Sequence, residues 1–205
     1  MQQNICFDGN CVVAMDNGTQ KLVKDIMKGD NVLGGKIEAI LRIKTVDNKM
    51  KYCETQSGLL INDYHPIIIE DKFVYPCVLY NNSDYDSEYM YSFLLEKNND
   101  EFIEIKRDNS LCIPLTIFGK LKLNNQIINE RPKYVVINNI QVLTLAHHID
   151  NSMISHDFFG TEKIVNRLKK CKGWDSGLIT FQDNENLFVK DKNDKIIDIN
   201  IMYEL

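Results

Sequence analysis

The chain has 205 residues, of which 44% are hydrophobic, and carries a formal net charge of −5 at pH 7. This length suits one domain or one domain with an extension, and the apolar fraction excludes an intrinsically disordered chain. The acidic balance argues against nucleic acid as a partner, because phosphate binding needs clustered Lys and Arg.

The sequence also lacks the signals of secretion and of membrane insertion. No apolar run reaches the roughly 20 residues of a membrane-spanning helix, and Met1–Ile5 has no apolar signal core. The six cysteines are scattered, without a CxxC pair. We therefore expect no membrane association, and reduced thiols in the cytoplasm.

Strand patterns dominate the first 145 residues or so. Residues Lys36–Thr45 alternate between apolar and polar side chains, which predicts a strand buried on one face. Asp47-Asn48 is a turn signal that would lead back into Met50–Thr55 as a hairpin. Gln56–Gly58 predicts a second turn before Leu59–Ile61. Short strands at this spacing predict a mainly β fold.

The next segments continue the pattern. Pro66–Ile69 and Phe73–Tyr75 flank a polar turn and predict another pair of strands. The polar, acidic stretch Asn81–Ser87 predicts a loop, and Tyr91–Leu95 predicts a strand. Residues Lys97–Arg131 follow no clear period and are interpreted as an insertion.

The β pattern resumes after this insertion and then gives way to a helix. Tyr134–Ile137 and Ile140–Leu145 predict strands joined by a two-residue turn at Asn138-Asn139. Together these elements predict a β core over about residues 6–149. The C-terminal extension predicts one helix over about residues 161–171.

The predicted helix has recognisable ends and one apolar face. Thr161 suits the N-cap, and Ile164, Val165 and Leu168 fall on one side at helical spacing. Gly173 is a suitable residue to end the helix. We expect this helix to pack by its apolar face.

Two short motifs carry the functional information. The first begins at Cys6-Phe7-Asp8-Gly9-Asn10-Cys11 and continues to Gly29-Asp30-Asn31-Val32. The second is Asn62-Asp63-Tyr64-His65, directly after an apolar run. In this order the two motifs resemble those of the Hint family (hedgehog–intein domains). The resemblance implies a horseshoe-like all-β fold and a domain that cleaves its own chain.

The resemblance also implies which residues act. Cys6 corresponds to the family's nucleophile, which attacks the peptide bond just before it, here Ile5–Cys6. His65 falls on the family's histidine, which works on the scissile amide. Asn62 stands where the family usually has Thr. Its amide group offers both a donor and an acceptor, so Asn62 is expected to assist at the same amide.

The implied reaction makes defined chemical demands. Proximity comes from the chain itself, because Cys6 is covalently adjacent to the Ile5 carbonyl. The thiol must lose its proton to become a nucleophile, and a general acid such as His65 must protonate the departing α-amine. The developing oxyanion needs hydrogen-bond donors. The product is a thioester that water, a thiol or an amine opens, and the reaction needs no cofactor or metal.

The C-terminal third narrows the resemblance. Thr144–Ile149 and Ser155–Thr161 look like segments of the Hint domains attached to von Willebrand factor A-type domains. This resemblance implies an N-terminally fused upstream domain, possibly of von Willebrand factor A type, as the partner. His147 and His156 fall on that family's histidines. Two interpretations remain open for them, a part in resolving the thioester and a hydrogen-bonded structural part.

A metal site is a third interpretation of these histidines. It would use His147, His148 and His156, but their spacing matches no standard zinc pattern. We therefore expect no metal.

The end of the chain bears on the type of reaction. Splicing needs a C-terminal Asn before a nucleophile, and Asp198–Leu205 has no such arrangement. The resemblance then implies N-terminal cleavage or acyl transfer by a single Hint domain over residues 6–205, with residues 1–5 as a leader. The alternative is a cleavage-inactive Hint scaffold that serves as a structural or interaction module. Asn62 in the place of Thr favours this alternative.

Overall fold

Short strands make up most of the described part of the chain. The computed structural model describes residues 6–70, 72–97, 134–146, 156–182 and 187–205, and the backbone of 122–123 and 126–127. Its strands are β1 (Phe7–Asp8), β2 (Val12–Ala14), β3 (Gln20–Leu22), β4 (Asn31–Val32), β5 (Gly35–Lys44), β6 (Lys49–Glu54), β7 (Leu60–Ile61), β8 (Ile67–Ile69), β9 (Lys72–Val74), β10 (Asn82–Asp86), β11 (Tyr89–Leu95), β12 (Lys122–Leu123), β13 (Gln126–Ile127), β14 (Tyr134–Ile137), β15 (Ile140–Leu143), β16 (Leu178–Phe181), β17 (Phe188–Lys190) and β18 (Ile196–Ile199). The α-helices are α1 (Pro76–Leu79) and α2 (Glu162–Leu168). The predicted mainly β fold is confirmed.

The strands form two large sheets and two separate hairpins. The larger sheet has eight strands in the order β10-β6-β7-β1-β11-β5-β16, with β4 paired to β5 beside this path. The second sheet has six strands in the order β3-β2-β14-β15-β8-β9. Strand β1, which follows Cys6, thus lies in the middle of the larger sheet.

Strand β5 is covered on both faces, which differs from the predicted half-buried strand. Its register with β11 shifts between Leu94 and Leu95, where these residues pair with Ala39 and Ile37. Glu38 is therefore the extra residue of a β-bulge, which changes the face on which the following side chains lie. Ala39 packs on one side of the sheet and Ile37 on the other.

Two sequence predictions about the strands were wrong. The Asp47-Asn48 turn exists, with φ of 53° and 55°, but β5 and β6 do not form a hairpin. Strand β5 pairs with β11, β16 and β4, while β6 pairs with β7 and β10. The stretch Asn81–Ser87, predicted as a loop, contains β10. This strand lies at the sheet edge and is mostly exposed, so it needs no apolar alternation.

Other local predictions are confirmed. Gly58, at φ 77°, lies in the turn between β6 and β7. Asn138 and Asn139 have φ of 47° and 62° in the two-residue turn between β14 and β15. The side chain of Thr161 caps helix α2 by accepting a hydrogen bond from the backbone N–H of Lys163.

Helix α2 is shorter than predicted, but its buried face is the expected one. It ends at Leu168, and Ile164, Val165 and Leu168 are all buried. The chain then adds a strand that sequence reasoning missed, since β16 pairs in parallel with β5. The C-terminal extension is therefore part of the central sheet. The predicted insertion over about residues 97–131 falls largely outside the described residues.

Two apolar clusters lie on the two faces of the larger sheet. The first, here called the Cys6 cluster, contains Cys6, Leu41 and Tyr52 together with residues of α2, β16, β17 and β18. The second, here called the Phe7 cluster, contains Phe7, Phe93 and residues of the six-stranded sheet. The consecutive residues Cys6 and Phe7 thus belong to different clusters, as the alternation of side chains along an extended chain requires. No helix of the described residues has the length and apolar character needed to cross a bilayer.

Candidate active site

Cys6 is fixed by the strand on either side of it. Strand β1 pairs with β7 through Phe7 and Ile61, and with β11 through Phe7 and Tyr91. In the antiparallel register, Cys6 therefore lies opposite Asn62 on one side and Ser92 on the other. The backbone N–H of Asn62 donates to the carbonyl oxygen of Cys6 at 3.0 Å, which confirms this alignment. Directly opposite residues project on the same face of a sheet.

The thiol of Cys6 is enclosed by apolar side chains. Cys6 is 1% exposed and belongs to the Cys6 cluster. Burial raises the pKa of this thiol above its usual range, because a low-dielectric environment disfavours the thiolate. The resting nucleophile is therefore protonated at neutral pH, and its activation requires a proton acceptor.

Asn62 is buried beside Cys6 with spare hydrogen-bonding capacity. It is 4% exposed, and its Nδ2 donates to the carbonyl oxygen of Lys51 at 3.5 Å. Its Oδ1 has no hydrogen-bond partner within the described part of the chain. A buried acceptor without a partner costs about 1–3 kcal/mol. The protein thus keeps a polar group next to Cys6 at a cost to its stability.

The His65 side chain lies against Phe7 of β1, on the face of the sheet opposite to the Cys6 thiol. It is fully buried, and its Nε2 lies 2.7 Å from the carbonyl oxygen of Leu143. Because a carbonyl oxygen only accepts, Nε2 is assigned as a protonated nitrogen. The imidazole lies against Phe7, with 5.6 Å between ring centroids.

Local structure holds His65 in this place. The residues Asn62 to His65 form a turn that is closed by a hydrogen bond from the His65 N–H to the Asn62 carbonyl oxygen at 3.1 Å. Strand β15 supplies Leu143, whose backbone N–H donates to the carbonyl oxygen of Pro66. The spacing Asn62-x-x-His65 thus places one side chain at Cys6 and the other at the ring of the next residue, Phe7.

Ser92 is a site residue that sequence reasoning missed. It is fully buried on β11 opposite Cys6, and its hydroxyl has no hydrogen-bond partner among the residues that the structure describes. Its neighbours on the same face, Met90 and Leu94, belong to the Cys6 cluster. The available signal was a lone hydroxyl within the apolar strand Tyr89–Leu95, but the register with Cys6 is not visible in the sequence.

The remaining predicted site residues fall into two groups. Ile5 and His147 lie outside the described residues. His156 is described, and its Nδ1 accepts hydrogen bonds from the backbone N–H groups of Phe158 and Phe159 at 3.1 and 3.2 Å. Its ring also lies 5.0 Å from that of Phe159. His156 therefore orders the turn that precedes helix α2.

The family of the chain follows from comparison of its sequence with family models. The model described as Vint: Hint-domain matches residues 5–118 and 123–198. The chain therefore belongs to this Hint-domain family, and its mainly β sheets with a short C-terminal helix agree with that fold. No curated protein matches the chain.

Proposed function

We propose that this Hint domain is autoprocessing and that Cys6 cleaves the Ile5–Cys6 peptide bond. The sulfur of Cys6 attacks the carbonyl carbon of Ile5, the C–N bond breaks, and a thioester links Ile5 to the Cys6 sulfur. The observation that carries the proposal is the convergence of Asn62, Ser92 and His65 on the residue pair Cys6-Phe7. Water, a thiol or an amine then opens the thioester, without full splicing.

Each neighbouring group supports one part of this reaction. Asn62 and Ser92 supply an amide and a hydroxyl on the face of the thiol, where a developing oxyanion needs donors. His65 lies on the other face and acts on the amide nitrogen of Cys6 as the general acid. Because the thiol and the imidazole lie on opposite sides of the sheet, His65 does not transfer its proton directly to the Cys6 sulfur.

The second step needs no residue of the C-terminal histidine pair. The contacts of His156 with two backbone N–H groups support a structural part for this residue, since its Nδ1 lone pair is already used. We assign the opening of the thioester to an external nucleophile. His147 stays a candidate from the family resemblance alone, and so does an upstream cargo of von Willebrand factor A type.

A second candidate function is a Hint scaffold that no longer cleaves. The near-complete burial of Cys6 and the raised pKa of its thiol favour this candidate, because both oppose formation of the nucleophilic thiolate. Asn62 in place of the family's Thr favours it as well. Such a protein would use its sheets as a structural or interaction module.

One experiment separates the two functions. A reporter domain is fused before residue 1, and intact-protein mass spectrometry follows its release with and without dithiothreitol. Autoprocessing predicts release that is faster with the thiol and absent in Cys6→Ala. Cys171→Ala is the matched control, because it removes another buried thiol, 6% exposed, from the same apolar cluster. A fusion that stays folded and intact over days supports the scaffold instead.

A further inference from the structure

A buried chain of oxygen atoms ends on the same strand as Cys6. The hydroxyl of Ser87 lies 2.6 Å from Oδ2 of Asp8, and the phenol oxygen of Tyr52 lies 3.2 Å from the Ser87 hydroxyl. Asp8 is 3% exposed, Ser87 is 5% exposed and Tyr52 is fully buried. The three groups form one hydrogen-bonded row inside the protein.

The direction of the hydrogen bonds follows from the chemistry of the groups. Asp8 has no ion-pair partner in the described part of the chain, and its other oxygen, Oδ1, accepts from the N–H of Asn10 at 2.8 Å. A hydroxyl 2.6 Å from a carboxylate oxygen has the short distance of a charge-assisted bond. Ser87 therefore donates to Asp8 and accepts from Tyr52.

Ser87 is held in place by its own backbone. Its N–H donates to the carbonyl oxygen of Asn48 at 2.8 Å, and its carbonyl oxygen accepts from the hydroxyl of Thr45. The Ser87 hydroxyl also lies 3.1 Å from the carbonyl oxygen of Tyr89. The middle member of the row is thus fixed between the turn at Asn48 and the start of β11.

The row shares a face of the sheet with the thiol. Cys6 and Asp8 are two positions apart at β1, so their side chains project on the same side. Strand β6 pairs with β7 through Cys53 and Ile61, which places Tyr52 opposite Asn62, itself opposite Cys6. Tyr52 and Cys6 also belong to the same apolar cluster.

Electrostatics agree with this placement. Burial is the largest cause that raises the pKa of the Tyr52 phenol, and negative charge on Asp8 and on the Cys6 sulfur raises it further. The phenol is therefore neutral and able to pass a proton. A buried carboxylate without an ion-pair partner is costly, which is consistent with a function for Asp8.

We propose that Tyr52 and Ser87 relay the thiol proton of Cys6 to the carboxylate of Asp8 as the sulfur attacks the Ile5 carbonyl. The inference rests on the proposed function. No hydrogen bond joins the thiol to the Tyr52 phenol among the described residues, so the Cys6 side chain must first turn toward the phenol. The thiol proton then moves to the oxygen of Tyr52, the phenol proton to Ser87, and the Ser87 proton to Oδ2 of Asp8. As the C–N bond breaks, the Cys6 nitrogen takes a proton from the imidazolium form of His65, which thereby becomes neutral. Asp8 and His65 then return to their resting states through solvent, so the number of protons is unchanged.

The relay is tested on the reporter fusion with paired tyrosine variants. Tyr52→Phe keeps the ring and removes only the hydroxyl, and we expect it to slow thiol-induced release about 100-fold, the lower end of the usual range for general-base catalysis. Asp8→Asn should have an effect at least as large. Tyr85→Phe is the matched control, because its ring packs 6.3 Å from that of Tyr52 while its hydroxyl donates to the exposed Glu54 carboxylate.

A second measurement keeps the relay distinct from the proposed function. The rate at which methyl methanethiosulfonate modifies Cys6 is followed by peptide mass spectrometry in the same proteins, and Tyr52→Phe should lower this rate about 100-fold. Thermal unfolding checks that each variant is folded. If Asp8→Asn does not fold, the comparison of Tyr52→Phe with Tyr85→Phe tests the relay by itself.

The outcomes differ for the two proposals. An intact wild-type fusion whose Cys6 still reacts faster than that of Tyr52→Phe would overturn the self-cleavage and support the relay. Equal release and equal modification in the wild type and in folded Tyr52→Phe would overturn the relay and leave the cleavage unaffected.

Discussion

The backbone N–H of Asn62 donates a hydrogen bond to the carbonyl oxygen of Cys6 at 3.0 Å. This bond extends the pairing of β1 with β7 by one residue and places the Asn62 side chain beside the thiol. A main-chain bond does not depend on the side chain at position 62. Substitutions there therefore test the chemistry of the amide group while the alignment of the strands is kept.

Asn62→Ala should slow reporter release about 100-fold, because loss of one donor to a developing oxyanion typically has an effect of this size. Asn62→Thr restores the residue that is usual in the family and a hydroxyl donor, and it should release the reporter at least as fast as the wild type. Single-turnover release measured by mass spectrometry gives both rates. Equal rates for Asn62→Ala and the wild type would exclude a part for this side chain.

Ser92→Ala should change stability and activity in opposite directions. Removal of a buried hydroxyl without a partner should raise the free energy of unfolding by about 1 kcal/mol, while release slows about tenfold. Urea unfolding and the release assay measure the two effects. Ser83→Ala, at an exposed serine of the edge strand β10, should leave both within error. A Ser92→Ala protein that is both less stable and fully active would contradict the assignment.

The stability of the protein should fall at alkaline pH. The pKa of Cys6 is raised in the folded state by burial, so the folded state retains a proton that the unfolded state loses above about pH 8.5. The stabilising contribution is complete below that pH, and it decreases by about 1.4 kcal/mol per pH unit as the pH rises toward the folded-state pKa. Urea unfolding at pH 7.5, 8.5 and 9.5 measures this slope, which should be shallower by that amount in Cys6→Ala. Parallel slopes for the two proteins would mean that the thiol ionises as easily in the folded state.

Ile5 should limit the hydrolysis of the thioester. Its β-branched side chain crowds the carbonyl carbon that water must attack, so Ile5→Gly should release the reporter faster without added thiol. Ile5→Val is the matched control, because it keeps the β-branch and should behave like the wild type. The ratio of the rates with and without dithiothreitol should narrow in Ile5→Gly, and an unchanged ratio would count against crowding.

Local sequence patterns predicted the strands and turns better than their partners. The turn at Asp47-Asn48 is where the pattern places it, yet β5 pairs with β11 and β16 instead of β6. Pairing depends on which apolar faces meet in the folded core, and no local pattern contains that information. Strand β10 was missed for the opposite reason, since an exposed edge strand lacks the alternation that marks a buried one.

The candidate site was predictable only where residues are close in sequence. Asn62 and His65 are joined by one turn, and their spacing alone places them together. Ser92 and Tyr52 lie near Cys6 because of the register of separate strands. This register cannot be predicted from the local sequence. A polar residue in an otherwise apolar strand, such as Ser92, is a local sign that a buried position has a role other than packing.

The parallel pairing of β16 with β5 has a consequence for the timing of any cleavage. Arg42 and Thr180 meet across these strands at a separation of 138 positions, and residues of α2, β16, β17 and β18 complete the enclosure of the thiol. During translation Cys6 is synthesised early, whereas α2, β16, β17 and β18 are synthesised last. The proposed cleavage by a fully enclosed Cys6 therefore becomes possible only after the final third of the chain has emerged from the ribosome.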